Sequence, residues 1–339
     1  IPLIDVIIGI SSVITIFFGG YLTLSGQITV GEFVAFTQYI VMLVWPMIAA
    51  GESITLFSQG FASLKRIEEI FQVKPEIYDD EDVDHSIKEI KGNIEFRDLT
   101  FKYKEDLPST LKDVSFKIKK GQTVAIIGHT GSGKSTIANL LVRLYDARPD
   151  SIFIDNYSIR RIPLKVLREN IAYVPQESFM FSDTIQNNIA FGSKTTDINK
   201  VHKAAKEASV HDNIMDFPLE YKTVVGERGV TLSGGQKQRS SIARALMKDS
   251  PILILDDSLS AVDTDTEEII LKNLKENRNN KTTIIIAHRI STIQNADLIL
   301  VMDNGEVKES GTHDELVEKQ GIYQKMYKRQ QLEKQIKAV

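Results

Sequence analysis

The sequence of 339 residues contains no cysteine. Disulfide frameworks and metal or redox centres with cysteine ligands are therefore excluded. The sequence also lacks a strong excess of charge, because 41 lysine and arginine residues face 45 aspartate and glutamate residues, for a net charge of −4. Nothing in this balance indicates a nucleic-acid partner. The length suggests about two domains and allows a core large enough for a stable fold.

The first residue is isoleucine rather than methionine, and it opens an apolar stretch. We expect that the sequence is a fragment whose upstream part is missing. A secretory signal peptide is not expected, because the stretch has no basic region before it and no small-residue cleavage site.

Charged side chains are absent from two neighbouring stretches, residues 6–31 and residues 33–51. Val6–Leu24 alone is almost wholly apolar and long enough to cross a hydrocarbon core of ~30 Å as a helix. We therefore predict two membrane helices, the second of which should kink at Pro46. The alternative, two core helices of a soluble protein, is disfavoured because neither stretch has a polar face.

Lysine and arginine are unevenly placed around these stretches. The connection between them has neither residue, whereas Lys65 and Arg66 follow the second stretch. The positive-inside rule then places the connection outside and the C-terminal part in the cytoplasm. The prediction is a multi-pass protein of the inner or plasma membrane, embedded in the lipid bilayer.

Composition divides the chain into three regions. Residues 1–72 hold the two membrane helices, the second extended into the cytoplasm by an amphipathic continuation. Residues 73–91 form a linker whose acidic run Asp79–Asp82 we interpret as a solvated connector rather than a site for a metal or a basic partner. Residues 92–339 form a folded domain.

Short strands alternate with helices in this domain, which indicates an α/β fold with a mostly parallel sheet covered on both faces. The predicted strands are Ile94–Phe96, Thr100–Tyr103, Val114–Ile118, Thr123–Ile127, Ile171–Val174, Ile252–Leu255, Thr282–Ala287 and Leu298–Met302. Helical spacing predicts helices at Ile198–Ala208 and Gln236–Met247. Thr312–Glu315 is a capping box that precedes a C-terminal helix.

A glycine-rich stretch matches every fixed position of the phosphate-loop pattern G-x-x-x-x-G-K-[ST]. The predicted strand before it and the helical run Ser135–Tyr145 after it disfavour a chance glycine-rich turn. Backbone N–H groups of such a loop surround an anion, and the helix N-terminus adds a favourable dipole. The predicted nucleotide-binding residues of the loop are Gly128, His129, Thr130, Gly131, Ser132, Gly133, Lys134, Ser135 and Thr136. Lys134 is expected to reach the β- and γ-phosphates of ATP, and Ser135 to bind Mg²⁺.

Polar residues also stand at the ends of other predicted strands, where ligands bind in open α/β sheets. Asp256 closes a hydrophobic strand and is expected to hold Mg²⁺. Asp257 could orient the attacking water, and His288 could meet the γ-phosphate. Gln176 follows a further strand. A lone histidine is more often a buried structural residue, but the strand-end position favours a functional one.

A second glycine motif, Leu232–Gln236, precedes a predicted helix. Ser233, Gly234, Gly235 and Gln236 would form another anion cradle at the helix N-terminus. Because the phosphate loop is already complete, this cradle suggests a sandwich in which each subunit's cradle closes on the nucleotide of the other subunit.

Together these motifs resemble the nucleotide-binding domain of an ABC transporter. The matching motifs are Walker A (Gly128–Thr136), the Q-loop (Gln176), the signature (Leu232–Gln236), Walker B (Ile252–Asp256), the D-loop (Ser260–Asp263) and the switch histidine (His288). The two apolar stretches resemble the last membrane helices of an exporter of the multidrug and lipid-flippase type. The resemblance implies a P-loop NTPase fold with small antiparallel and helical subdomains, and ATP hydrolysis coupled to transport.

Further roles follow from the resemblance alone. Tyr103 matches the aromatic residue that stacks on adenine, and Gln176 matches the residue that links the Mg²⁺ site to the membrane domain. Ser233 and Gly235 match contacts to the γ-phosphate held by the opposite subunit. Val225–Gly229 resembles the segment that touches the coupling helices of the membrane domain.

One position departs from the family pattern, because Asp257 stands where the family has glutamate as general base. Its side chain is one methylene shorter, and a misplacement of ~1 Å can cost about 10²-fold in rate. In this respect the chain resembles one half of heterodimeric bacterial exporters in which one ATP site hydrolyses poorly. A second half-transporter is thus the expected partner, and a heterodimer is favoured over a homodimer.

The resulting interpretation is a half-transporter that exports a small lipophilic or drug-like molecule. Two alternatives stay open. One is a regulatory subunit that binds ATP with little hydrolysis of its own, which Asp257 supports. The other is a soluble ABC ATPase of the DNA-maintenance kind, which the uncharged stretches disfavour.

Overall fold

The computed structural model describes residues 2–226 and 231–337. It divides into two units, the first ending at Glu76 and the second starting at Ile77. The first unit consists of helix α1 (Pro2–Leu24) and helix α2 (Val30–Gln72). A capping box starts α2, in which the Thr29 hydroxyl accepts the N–H of Glu32 and the Glu32 carboxylate accepts the N–H of Thr29.

Both helices are long and apolar enough to cross a membrane. Phe17 is 77% exposed, Trp45 is 78% exposed, and no residue of α2 is buried. Within the described chain these helices are therefore not packed core helices of a soluble domain. Helix α2 continues through Pro46 to Gln72, so the predicted amphipathic continuation belongs to the same helix.

The second unit contains all of the strands that the structure describes. They are β1 (Ile94–Phe101), β2 (Leu111–Ile118), β3 (Thr123–Gly128), β4 (Ile152–Ile154), β5 (Tyr157–Ser158), β6 (Ile171–Val174), β7 (Asp183–Thr184), β8 (Val224–Val225), β9 (Ile252–Asp256), β10 (Thr282–Ile286), β11 (Leu298–Asp303) and β12 (Glu306–Gly311). Its helices are α3 (Lys134–Leu141), α4 (Leu164–Asn170), α5 (Ile185–Ala190), α6 (Ile198–Glu207), α7 (His211–Met215), α8 (Gly234–Met247), α9 (Thr264–Asn277), α10 (Ile290–Ile293), α11 (His313–Glu318) and α12 (Ile322–Lys337).

The main sheet has six strands in the order β12-β11-β3-β10-β9-β6. All neighbours are parallel except the edge pair β11 and β12. The central strands are apolar on both sides because the two faces are both covered. In β3, for example, Ala125 and Ile127 join one buried cluster, whereas Val124 and Ile126 join the other. The predicted covered, mostly parallel sheet is confirmed.

A second sheet is antiparallel, with the order β2-β1-β4-β5. Here one expectation is wrong, because the two strands predicted at Ile94–Phe96 and Thr100–Tyr103 fall on one strand, β1, which ends at Phe101. Its pairing with β2 shifts register between Phe96 and Leu99, and Asp98 between them has a φ of 45°. The polar residues that suggested a break form a bulge within one strand.

Residues 77–91, which the sequence analysis placed in a solvated linker, belong to the second unit. Val83, Ile87 and Ile90 are buried. The Asp79 carboxylate accepts the N–H of Leu164 at 2.9 Å. The apolar residues spaced along this segment pack against the rest of the unit, although its acidic composition suggested a solvated connector.

Candidate nucleotide site

The loop between β3 and α3 needs glycine at three positions. Gly131 and Gly133 have φ angles of 82° and 97°, in the region that side chains rarely adopt. A Cβ on Gly128 would lie 2.2 Å from the carbonyl oxygen of Met302. The backbone therefore curls tightly into the N-terminus of α3, which has no side-chain cap. Free N–H groups at such a terminus attract anions.

Lys134 lies under this loop and is buried. Its Nζ donates to the carbonyl oxygens of Gly128 and His129, at 2.9 Å each. Burial lowers the pKa of Lys134, while the carboxylates of Asp256 and Asp257 act in the opposite direction. The Ser132 hydroxyl is also buried, and it has no hydrogen-bond partner among the described residues. An ammonium group and an unpaired hydroxyl thus lie within one glycine loop, as a phosphate ligand requires.

Asp256 ends β9 beside this loop and is only 2% exposed. Ser135 Oγ donates to Asp256 Oδ1 at 3.0 Å, and the Tyr173 hydroxyl donates to Asp256 Oδ2 at 3.3 Å. Burial raises the pKa of Asp256, and the two hydrogen bonds offset part of that rise. The parallel pairing of β3, β10 and β9 explains the contact, since it brings the carboxyl ends of these strands to one edge.

Tyr173 was missed in the sequence analysis. It lies on β6, opposite Ile254 of β9 in register, so its hydroxyl reaches the end of β9. Burial raises the pKa of Tyr173, and the Asp256 carboxylate adds to the rise, so the hydroxyl keeps its proton. A tyrosine in the otherwise apolar strand β6 was the available signal.

Asp257 directly follows β9 and is half-buried. Its φ is 46°, its N–H donates to the carbonyl oxygen of Ile286 at 2.9 Å, and its own carbonyl accepts the Ser260 hydroxyl at 2.9 Å. Both of its peptide groups are therefore fixed. His288 follows the neighbouring strand β10, where desolvation and the Lys134 ammonium lower its pKa. The imidazole is consequently neutral at physiological pH.

Tyr103 and Gln176 lie at the edges of this region. The Tyr103 hydroxyl shares a hydrogen bond of 3.0 Å with Thr136 Oγ1. Phe101 and Tyr145 contact the Tyr103 ring edge-on, with centroid distances of 5.1 and 4.8 Å. Tyr145 thus helps to fix the plane of the Tyr103 ring, and Tyr103 is still 37% exposed. The sequence analysis did not identify this role of Tyr145. Gln176 is exposed and follows β6, without a side-chain hydrogen bond among the described residues.

The second glycine motif starts helix α8. Ser233 is its N-cap and forms a capping box with Gln236. Gly235 packs so closely that a Cβ there would lie 2.9 Å from the Ala261 carbonyl oxygen. Ser233 and Gly234 are exposed. Among the described residues, no hydrogen bond joins this cradle to the loop Gly128–Thr136.

Two further expectations concern the coupling segment and the cation site. Residues 227–229, three of the five residues of the segment expected to touch coupling helices, lie outside the described residues. Within the described ranges no group of three or more His, Cys, Asp or Glu residues could hold a metal ion. A cation beside Asp256 would therefore need hydroxyl, amide and phosphate oxygens to complete its coordination.

Comparisons with known proteins agree with this geometry. The family model for ABC transporters matches residues 111–260. A probable multidrug resistance ABC transporter ATP-binding/permease protein of Bacillus subtilis is 45% identical over 98% of this chain and 56% of its own length. An ATP-dependent lipid A-core flippase of Syntrophus aciditrophicus is 40% identical over 97% of this chain and 54% of its own length.

A solved structure, described as a bacterial Atm1-family ABC exporter with ATP bound, matches with a TM-score of 0.84 and 37% identity. The match covers 97% of this chain and 57% of that chain. The chain thus spans about half the length of the relatives that it matches.

Proposed function

Because the chain belongs to the ABC exporter family, we propose that it is the ATP-binding part of a half-transporter that couples ATP hydrolysis to efflux. The observation that carries the proposal is the 3.0 Å hydrogen bond from Ser135 to the buried Asp256 carboxylate. It joins the phosphate loop to the strand end where a cation would sit. The two long apolar helices and the names of the relatives support a membrane exporter.

The residues present fit ATP and Mg²⁺. Lys134 and the N–H groups of the loop would bind the β- and γ-phosphates, and the exposed face of Tyr103 would stack on adenine. Ser135 and Asp256 would hold Mg²⁺ together with Gln176. Bound Mg²⁺ would supply Lewis-acid stabilisation of charge on the transferred phosphoryl group.

The chain's own groups then divide the remaining tasks. Asp257 would orient the attacking water, and neutral His288 would donate a hydrogen bond to the γ-phosphate. Tyr173 keeps Asp256 oriented through its hydroxyl. Asp256 Oδ1 would turn from the Ser135 hydroxyl to the cation, while Oδ2 keeps its hydrogen bond from Tyr173.

We assign residues 1–72 to the membrane portion, residues 73–91 to the connection, of which residues 77–91 pack within the second unit, and residues 92–339 to a cytoplasmic ATPase domain. The exposed Ser233–Gln236 cradle is unused within one chain, which supports a partner subunit whose nucleotide it completes. Asp257 in place of glutamate favours a heterodimer with one slow site over a homodimer. The exported substrate is a lipophilic or drug-like molecule, as the relatives' names suggest.

The second candidate is a regulatory half that binds ATP and hydrolyses little of it. The short side chain of Asp257 is the observation that favours it. Single-turnover hydrolysis at this chain's own site separates the two candidates, because a regulatory half binds ATP with normal affinity but leaves it intact.

The test of the main proposal is Mg²⁺-dependent ATP binding and hydrolysis by the purified transporter in lipid vesicles. Ser135→Ala should abolish the Mg²⁺ dependence of binding, since it removes the hydroxyl that meets Asp256. Ser310→Ala, at an exposed serine on β12, is the matched control and should behave as wild type. Binding with the same Mg²⁺ dependence in the Ser135 variant would refute the site assignment.

A further inference from the structure

The C-terminal helix α12 contacts the segment that carries His288. Gln330 of α12 is half-buried. Its Oε1 accepts the N–H of Ile290 at 2.8 Å, and its Nε2 donates to the carbonyl oxygen of His288 at 2.7 Å. One carboxamide therefore binds the peptide groups on both sides of Arg289.

The Ile290 N–H has few other possible partners. It is the first N–H of α10, a helix of four residues, and the N-cap residue Arg289 makes no side-chain cap bond. Ile290 is only 2% exposed, so water is a poor substitute. First-turn N–H groups need an external acceptor. Gln330 supplies that acceptor from another helix.

The same segment is also tied to the loop that follows Asp257. Arg289 donates to the carbonyl oxygens of Ser260 at 3.0 Å and Val262 at 3.3 Å. It also pairs with the buried Glu267 at 3.2 Å. The Ser260 hydroxyl donates in turn to the Asp257 carbonyl oxygen. The backbone of residues 288–290 thus lies between α12 on one side and the Asp257 loop on the other.

We propose that Gln330 is a positioning residue for ATP hydrolysis, acting through the backbone of His288 and Ile290. This inference rests on the proposed ATPase function. Gln330 sets the peptide plane at His288, and that plane sets the direction of the imidazole. Gln330 lies outside every motif identified in the sequence, and it does not itself reach the nucleotide loop.

The test uses Gln330→Met in the purified transporter, because methionine keeps the length of the side chain but loses both hydrogen bonds. The control is Gln331→Met, which makes the same change at an exposed neighbour without a side-chain hydrogen bond among the described residues. The measurements are the single-turnover rate constant of ATP hydrolysis at this chain's own site, the ATP dissociation constant and the melting temperature. Every protein compared, wild type included, also carries Ser233→Arg, which blocks the partner's nucleotide site.

We expect the rate constant of Gln330→Met to fall about 5- to 50-fold, as a displaced catalytic group allows, with the dissociation constant within about twofold of wild type. Gln331→Met should match wild type in all three measurements. The inference is overturned if the Gln330 variant hydrolyses ATP at the control rate. It is also overturned if rate, affinity and melting temperature fall together, because that pattern marks a general structural role. Wild-type protein that neither binds nor hydrolyses ATP would instead refute the proposed function, and this inference with it.

Discussion

Lengthening the carboxylate at position 257 should speed hydrolysis at this chain's own site. The Asp257 backbone is held at a φ of 46° by its N–H bond to Ile286 and its carbonyl bond from Ser260. The strand end therefore cannot shift to compensate for the short side chain. Asp257→Glu adds one carbon–carbon bond, about 1.5 Å in length. Since a misplacement of ~1 Å costs about 10²-fold, we expect a gain of about 10- to 100-fold, or about 1.4–2.7 kcal/mol of activation free energy.

The same substitution should cost stability. Aspartate tolerates a positive φ better than glutamate, because its short polar side chain bonds locally. A strained backbone of this kind costs on the order of 1 kcal/mol. The melting temperature should fall by about 2–4 °C. Faster turnover together with a lower melting temperature is the expected signature, and a nonspecific improvement of the protein would not produce it.

The assay must isolate one site. Ser233→Arg in this chain should block the partner's nucleotide site by filling the exposed cradle, so the remaining ATPase activity comes from this chain's own loop. In that background Asp257→Glu should raise turnover, and Asp257→Asn should barely change it. Two results would contradict the reasoning. Unchanged turnover in Ser233→Arg alone would show that the cradle does not complete a faster site in the partner, and loss of turnover in Asp257→Asn would show that Asp257 is already a working base.

Three further predictions concern binding, charge and orientation. Lys134→Ala removes a charge-assisted contact to phosphate worth about 1.5–3 kcal/mol, and Tyr103→Ala removes stacking on adenine worth about 1–3 kcal/mol. Both variants should therefore bind ATP more weakly in a titration, and unchanged affinity in both would rule out the site. Asp256→Asn should raise the melting temperature of the nucleotide-free protein and abolish its stabilisation by Mg²⁺ and ATP. The rise in melting temperature should shrink as the pH is lowered, and a lower melting temperature at every pH would contradict the prediction. Cysteines introduced at Gln27 and Ser63 should differ in whole cells, with an impermeant thiol reagent labelling only position 27; the reverse pattern would refute the predicted orientation.

Much of the second unit could be predicted from the sequence, because its central strands are short apolar runs between turn residues. Ile171–Val174 is observed with its predicted bounds, and Thr123–Gly128 extends the prediction by one residue. The phosphate loop was predictable as well, because the positive φ angles at Gly131 and Gly133 are a local backbone requirement that glycine satisfies.

Contacts between distant elements could not be predicted in this way. Tyr173 meets Asp256 only because β6 pairs with β9 in one particular register. Gln330 reaches the carbonyl oxygen of His288 only through the packing of α12, and no local sequence pattern around Gln330 predicts this hydrogen bond. The burial of Val83 and Ile87 likewise depends on contacts between residues 77–91 and distant parts of the second unit.

The charges of the site explain why Asp256→Asn should stabilise the protein while abolishing binding. Burial raises the pKa of Asp256 and lowers those of Lys134 and His288, so folding disfavours the charged form of each group. For Asp256, a folded pKa above the unfolded value means that stability is lost as the pH rises through the folded pKa. At neutral pH the ionised carboxylate is therefore a cost that asparagine removes. A ligand with phosphate charge and a divalent cation would reverse each of these shifts, since Lys134 would face anions and Asp256 a cation. The nucleotide-free site is thus organised in advance at the expense of stability, and the ligand recovers that free energy on binding.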